Sequence, residues 1–436
     1  MKNHWENISG CFRDDLMSGV VTYLAHRYGN LQINGDWVPL EEPDAALLAR
    51  QILNELESHS NHWRCNREAS RALNNCAYVV KELPDTTRLV FLVMDFLMLQ
   101  EESTISGDSV NLLSHGISMG KGNAAEALII LANKLAENDI SWPEPLPDAL
   151  RLFAADEHPA VRALLLRRMP SLQSHHSEFG WELFGLAMDK SDHGLWELAE
   201  PCLYRTYHRA FEIVAPWLER VYREGSGKEL KTWGRISALA VLSNKIDLSV
   251  LLEALIKHES AEAWDGACDV WTHASNLKQH RELCLTGLEV GLGTENVHAH
   301  VVARKFPNIF REKNPPISVS IDLIRRYFCL IGTNIHSPTS DVHGFAAWLN
   351  AISLNSPSYA LDACESYFDF VQRRNCSVSD FEKNLTQLLT RLFTQAEEQE
   401  ESDSGAMLQR VVALQDILLA LDVHGVGDWL KAAERN

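Results

Sequence analysis

Three stretches of the chain carry residue types at spacings that could do chemistry. Gly116-Ile117-Ser118-Met119-Gly120 matches the G-x-S-x-G pattern of a serine nucleophile elbow, and eighteen histidines supply candidate bases. An elbow works because a strand feeds a tight turn that lifts the serine to the start of a helix. The preceding DSVNLLSH does not read as a central strand, so the expectation is a connector ahead of a helix from about 123, with a Ser118 hydrolase the weakest reading. The same loop runs on as Gly120-Lys121-Gly122, which invites comparison with a phosphate-binding loop. His115 and Gly122 stand where that motif needs a glycine and a Ser or Thr, so nucleotide hydrolysis is unsupported. In HSNHWRC, His59, His62 and Cys65 fall three residues apart, with Cys76 beyond. Zinc could use them, but structural zinc more often takes paired ligands from two knuckles, and neither metal nor cofactor is expected. His175-His176 and His298-x-His300 are weaker still.

PCLYRTYHRAF, 201 to 211, concentrates Tyr204, Arg205, Tyr207, His208 and Arg209. Tyrosine and arginine are the types that anchor interfaces and also stack on nucleic-acid bases. The plainer reading puts the tyrosines in the core and the arginines in solvent. These five residues are therefore a candidate contact surface.

Helices must position these residues. Apolar residues recur at helical spacing almost everywhere, as in Leu47, Leu48, Ile52 and Leu56, then Ala69, Leu73, Ala77 and Val80. The segments are punctuated by Gly, Pro, Asn and Asp. LQINGDWVPL, 31 to 40, could turn a small hairpin at Asn34-Gly35, and LVFLVMDFLML, 89 to 99, is too short and too charged for a membrane span and reads as a buried helix. Pro147 suits a first helical turn, whereas Pro170, Pro201 and Pro216 should fall at or near hairpin ends. After REKNPPISVS, helices are expected near 320–331, 343–354, 358–374, 379–396 and 406–422, with the acidic AEEQEESDSG, 396 to 405, as a solvated loop or frayed helix end.

A period underlies the helices. Val161 in DEHPAVRALLLRRMPSL aligns with Trp196, Trp233, Trp264 and Val297 at steps of 35, 37, 31 and 33, and His158 aligns with His193. Such a spacing suits helical-hairpin repeats. One hairpin leaves an apolar face that the next covers, so Trp196, Trp233 and Trp264 are expected in the core between repeats. The expected divisions are an N-terminal helical portion, 1–120, a repeat core, 121–312, and C-terminal helical repeats, 313–436.

Bulk composition narrows the partners. A chain of 436 residues that is 46% hydrophobic exceeds one ordinary domain. The formal charge of -19 repels phosphate backbones at long range, although a local basic stripe could overcome it. Nine scattered cysteines without a Cys-x-x-Cys pair suggest reduced thiols in the cytoplasm, and MKNHWENISGCFRDD lacks the apolar core of a signal peptide.

The stretch from about 120 to 306 resembles a known family. AAEALIILA, LRLFAADEHPAVRALLLRRMPSL, GWELFGLAM, LAEPCLYRTYHRAF, WGRISALAVL and AWDGACDVW are similar to the HEAT-like helical region downstream of the NTPase module in large bacterial ATP-binding proteins. Some of those are anti-phage defence proteins of the STAND and NACHT-like kind. The resemblance implies an all-α, HEAT/armadillo-like α-solenoid of stacked helical hairpins, in which Asp156 and Arg162 tie neighbouring hairpins. It also implies a non-enzymatic, cytoplasmic scaffold or sensor, the recognition part or an accessory subunit of an anti-phage NTPase system. Its partner would be a protein: an NTPase, an effector subunit or a phage protein. The alternative is a HEAT-like DNA-binding or DNA-glycosylase-type protein, with Arg162, Arg167, Arg168, Arg205 and Arg209 supplying positive charge.

Overall fold

Helices account for all the regular structure described. The computed structural model describes residues 10–29, 44–64, 66–97, 111–190, 194–312, 315–333, 344–374, 378, 383–421 and 423. Among these residues there are twenty-three α-helices, one short 3-10 helix at Phe306–Arg311, and no strand. The expectation of an all-α chain holds, while the hairpin expected at 31 to 40, together with His193, lies outside the described residues. None of the described helices is long and apolar enough to cross a membrane.

The chain divides into two units, Met1–Thr206 and Tyr207–Asn436. At the centre of the first, helix Gly120–Glu137 packs along Pro159–His175. The former also packs on Arg67–Cys76, the latter on Leu195–Thr206. Helix Gly120–Glu137 is buried nearly all round, from Gly122 through Ala136, as a helix enclosed by neighbours must be. Local chemistry sets the helix starts. Asn66 Oδ1 accepts from the Glu68 N–H at 2.8 Å, Asn111 Oδ1 from the Ser114 N–H at 3.2 Å, and His158 Nδ1 from the Ala160 N–H at 3.2 Å. Each satisfies an amide that the first helical turn leaves open.

Polar ties fix the spacing between helices in this unit. Asp156 accepts from the His158 N–H at 2.8 Å and lies 3.7 Å from Lys121 Nζ on the preceding long helix. Arg162 is fully buried, and its Nη1 donates to the Ala187 carbonyl at 2.8 Å. That carbonyl belongs to the last turn of Ser177–Met188, where helices leave acceptors open and carry negative partial charge.

In the second unit the tightest pair is Lys228–Leu242 against Ala261–Trp271. Glycines allow it. A Cβ on Gly234 would stand 2.1 Å from the Ala263 carbonyl oxygen, and one on Gly266 would stand 2.0 Å from that of Lys231. Beside this crossing, Lys231 meets Asp265 at 2.5 Å and Asp269 at 3.1 Å, while Arg235 reaches Asp269 at 3.2 Å. Lys305, from helix Ala299–Lys305, reaches both carboxylates. Further on, Phe306, Phe310, Tyr327, Phe328, Phe345 and Trp348 form a continuous aromatic core, and Trp348 Nε1 donates to the Ile317 carbonyl at 3.0 Å.

Several sequence expectations need correction. Pro170, Pro201 and Pro216 lie inside helices Pro159–His175, Leu195–Thr206 and Phe211–Glu224. A proline there removes one N–H donor and leaves a carbonyl four residues back without its helical partner. For Pro170 that carbonyl is Leu166, and the buried Cys202 thiol donates to it at 3.9 Å, so tertiary packing supplies the missing donor. Trp196, Trp233 and Trp264 are buried, but Val297 is 66% exposed in a turn, and Val301 and Val302 of the next helix are buried instead. The acidic run does not leave the helix at 396: Asn384–Asp403 continues to a left-handed cap at Ser404.

The glycine crossing predicts an asymmetry in substitution. G234A or G266A pushes a methyl into a backbone oxygen and should cost about 1–3 kcal/mol, whereas G19A, with nothing near its Cβ, should be neutral or stabilising. Thermal unfolding of the three variants decides it, and equal midpoints would refute the close approach.

The ion network predicts a pH dependence. Burial alone would raise the Asp265 and Asp269 carboxyls, but the Lys231 and Lys305 ammonium groups outweigh it and hold both below the usual carboxylate range. Because the folded groups titrate lower than the unfolded ones, their stabilisation is complete above the unfolded pKa of about 4 and fades as pH falls toward the folded values. The melting temperature of the native chain should therefore fall more steeply between about pH 5 and pH 3 than that of D265N/D269N. Parallel slopes would remove the network from the pH response.

Candidate functional site

Three turns of three helices converge on one cavity in the first unit. Ile130, Asn133, Lys134 and Glu137 share a face of Gly120–Glu137 at helical spacing. Arg167, Arg168, Pro170 and Ser171 do the same on Pro159–His175, and Pro201 and Arg205 on Leu195–Thr206. Tyr78 completes the wall of a cavity of about 340 Å³. Two of the three helices line it with an internal proline, the residue that interrupts the regular ladder of helical hydrogen bonds.

The lining is rich in cations. Arg168 is oriented from behind: Nε and Nη2 donate to Glu126 Oε1 at 3.1 and 3.0 Å, and Nη2 also donates to Tyr78 Oη at 3.2 Å. Glu126 is itself buried, and it accepts from Asn74 Nδ2 at 3.4 Å. Lys134 lies 3.2 Å from Glu137, which also accepts from the Ser171 hydroxyl at 3.3 Å. Among the described residues, no carboxylate pairs with Arg167 or Arg205, and both are exposed. Four cationic side chains thus face the cavity with one carboxylate, and two guanidinium charges stay unneutralised.

Asn133 adds a buried polar handle. Only 8% of it is exposed, and its Nδ2 donates to the Arg168 carbonyl at 3.1 Å. That carbonyl can only accept, which fixes the amide orientation and leaves Oδ1 as an acceptor. Oδ1 is buried with no hydrogen-bond partner among the described residues. Unsatisfied buried acceptors are costly and uncommon, so a hydrogen-bond donor is expected beside this atom.

The predicted contact residues are divided between the two units. Tyr204 and Arg205 close helix Leu195–Thr206, and Tyr204 is 52% exposed, contrary to the expectation that the tyrosines serve the core. Arg205 is the one that reaches the cavity. In the second unit, Tyr207 is half-buried and stands edge-on to His208 at 5.4 Å, while His208 and Arg209 are exposed. Of the arginines considered for DNA, Arg167, Arg168 and Arg205 meet at the cavity, but Arg162 is buried and supplies no surface charge.

The other motifs have packing explanations. Ser118 ends helix Leu112–Ser118, and its hydroxyl donates to the His115 carbonyl at 2.6 Å. No strand feeds it, and a second helix starts at Gly120, so the expected connector is reduced to Met119. The glycines serve close approach: a Cβ on Gly116 would lie 2.5 Å from the Ala160 oxygen, and one on Gly122 would lie 2.0 Å from that of Gly116. His59 and His62 face Glu55 and Asp14 at 3.1 and 3.0 Å, while Cys65 lies outside the described residues. Burial pushes the thiols of Cys76, Cys202, Cys268 and Cys364 well up, and that of Cys284 to about 12, which suppresses the nucleophilic thiolate. Among the described residues, no group of three His, Cys, Asp or Glu could hold a metal ion.

Sequence reading missed Asn133, Lys134 and Tyr78. A signal was present, because Asn133 is a polar residue inside the apolar run ALIILANKLA. Comparison of the chain with protein-family profiles, curated proteins and solved structures finds no match.

Proposed function

We propose that the chain is a non-enzymatic protein-binding scaffold or sensor, built as a HEAT/armadillo-like α-solenoid and working in the cytoplasm beside an NTPase. The observation that carries the repeat reading is the recurrence of side-chain ties about one hairpin apart. Asn133 to Arg168 and Cys202 to Leu166 span 35 and 36 residues in the first unit. Lys231 to Asp265, Lys305 to Asp269 and Lys278 to Glu312 span 34, 36 and 34 in the second. Packing of Gly120–Glu137 on Pro159–His175, of Pro159–His175 on Leu195–Thr206 and of Lys228–Leu242 on Ala261–Trp271, in each case the next helix but one, supports the same reading.

Binding is the role that such an array suits, because successive hairpins compose an extended surface while each needs its neighbours for a core. Exposed Tyr204 and Arg205 give that surface anchor chemistry. The acidic balance of the chain favours fast, salt-sensitive association with a basic partner. Membership of an anti-phage system rests on the resemblance of residues 120 to 306 alone.

Co-expression with the products of the adjacent reading frames tests this function. A stable complex with an adjacent NTPase on size exclusion, weakened by Y204A/R205A, is the expected result. Independent elution of both proteins, together with tight duplex-DNA binding at low salt, would replace it with the DNA-binding alternative.

A further inference from the structure

We propose that the cavity lined by Asn133, Lys134, Arg167, Arg168 and Arg205 binds a phosphomonoester whose carrier places a hydrogen-bond donor beside the phosphoryl group. The proposal concerns the first unit by itself and stands apart from the identity of any protein partner. Charge is the first observation. Glu126 holds Arg168 and Glu137 holds Lys134, but Arg167 and Arg205 have no carboxylate among the described residues. Two uncompensated guanidinium groups on adjacent helices match a dianion, and a phosphomonoester carries about -1.5 to -2 near neutral pH. A lone carboxylate would balance only one of them. Guanidinium forks also fit phosphate oxygens with paired, charge-assisted hydrogen bonds.

The second observation is independent of charge. Asn133 is more than nine-tenths buried, lines the same cavity, and has an Oδ1 with no partner among the described residues. Deprotonated phosphoryl oxygens only accept, so in its dianionic form the ester leaves this acceptor to a hydroxyl or an N–H of its carrier. A sugar phosphate does so with its ring hydroxyls, and a phosphorylated serine with its main-chain amide. Size agrees with both. About 340 Å³ lies at the small end of ligand sites and admits no duplex.

The chain also explains why the site survives in a protein of net charge -19. Glu137, the one carboxylate of the lining, is engaged by Lys134 and Ser171, and Glu126 behind it by Arg168, so cations outnumber carboxylates around Arg167 and Arg205. Long-range repulsion slows approach of an anion but does not cancel close hydrogen bonds, because charges more than about 8 to 10 Å away are screened at physiological salt.

Isothermal titration of the full chain with ribose 5-phosphate, a phosphoserine peptide and sulfate, a dianion without a hydrogen-bond donor, tests the proposal. Ribose and the unphosphorylated peptide serve as controls. At least one ester should bind about tenfold or more tightly than sulfate, and which ester wins identifies the source as a free metabolite or a modified protein. R167A and R205A should each weaken that binding about tenfold or more, with R205K intermediate because charge remains but the fork is lost. N133A should erase the preference over sulfate while leaving sulfate affinity unchanged. R167A and R205A remove exposed, unpaired groups, so their thermal midpoints should match the native chain, which separates lost binding from lost fold. No heat from either ester, or ester binding indifferent to both arginine variants, would overturn the proposal.

Discussion

The structure depends on how closely its packed helices can approach one another. Where a helix leaves an apolar face, the helix packed on it must come near enough to exclude water, and bulky side chains at the crossing would prevent it. Gly234 against Ala263 and Gly266 against Lys231 permit this in the second unit. Gly116 against Ala160, with Gly122 folded back on Gly116, does so in the first. Polar side chains then hold the register. Arg162 reaches the open carbonyl at the end of one helix, and Asp156 links its own turn to Lys121. Such contacts cost desolvation, and unmaking one would strand a buried group, so they select one packing over its neighbours.

The candidate site follows from the same constraint. Helices Gly120–Glu137 and Pro159–His175 pack along one another through their apolar faces, and the polar edge of that contact is the cavity. Pro170 lies on that edge, and its missing N–H is answered on the buried side by the Cys202 thiol of the third helix. The third helix thereby places Arg205 opposite Arg167 as lining of one cavity. A packing compromise and a binding surface share one helical turn.

Much of the fold was legible in the sequence because helical spacing reports burial directly. Of the periodic set Leu47, Leu48, Ile52 and Leu56, the last three are buried and Leu47 is half exposed at the edge of the stripe, and the aligned tryptophans at 196, 233 and 264 are buried too. Val297 misled because its apolar character was read as burial, although it occupies an exposed turn just ahead of the helix that carries Val301 and Val302. The internal prolines misled because local propensity cannot anticipate a donor from another helix, as Cys202 is for Leu166. For the site, Arg205 was legible as an aromatic-flanked arginine. Its cavity partners were not, since Asn133 and Arg167 are 34 residues apart and only tertiary packing joins them.

The central claim is that uncompensated arginines on adjacent helices form one ligand site. Nitrogen-15 spectra of the arginine Nε–H groups report this most directly. Titration with the phosphate ester of higher affinity should shift the Arg167 and Arg205 signals together on one binding curve, with Arg235 and Arg410, held by carboxylates in the other unit, unmoved. Shifts confined to other arginines, or Arg167 and Arg205 following separate curves, would contradict it.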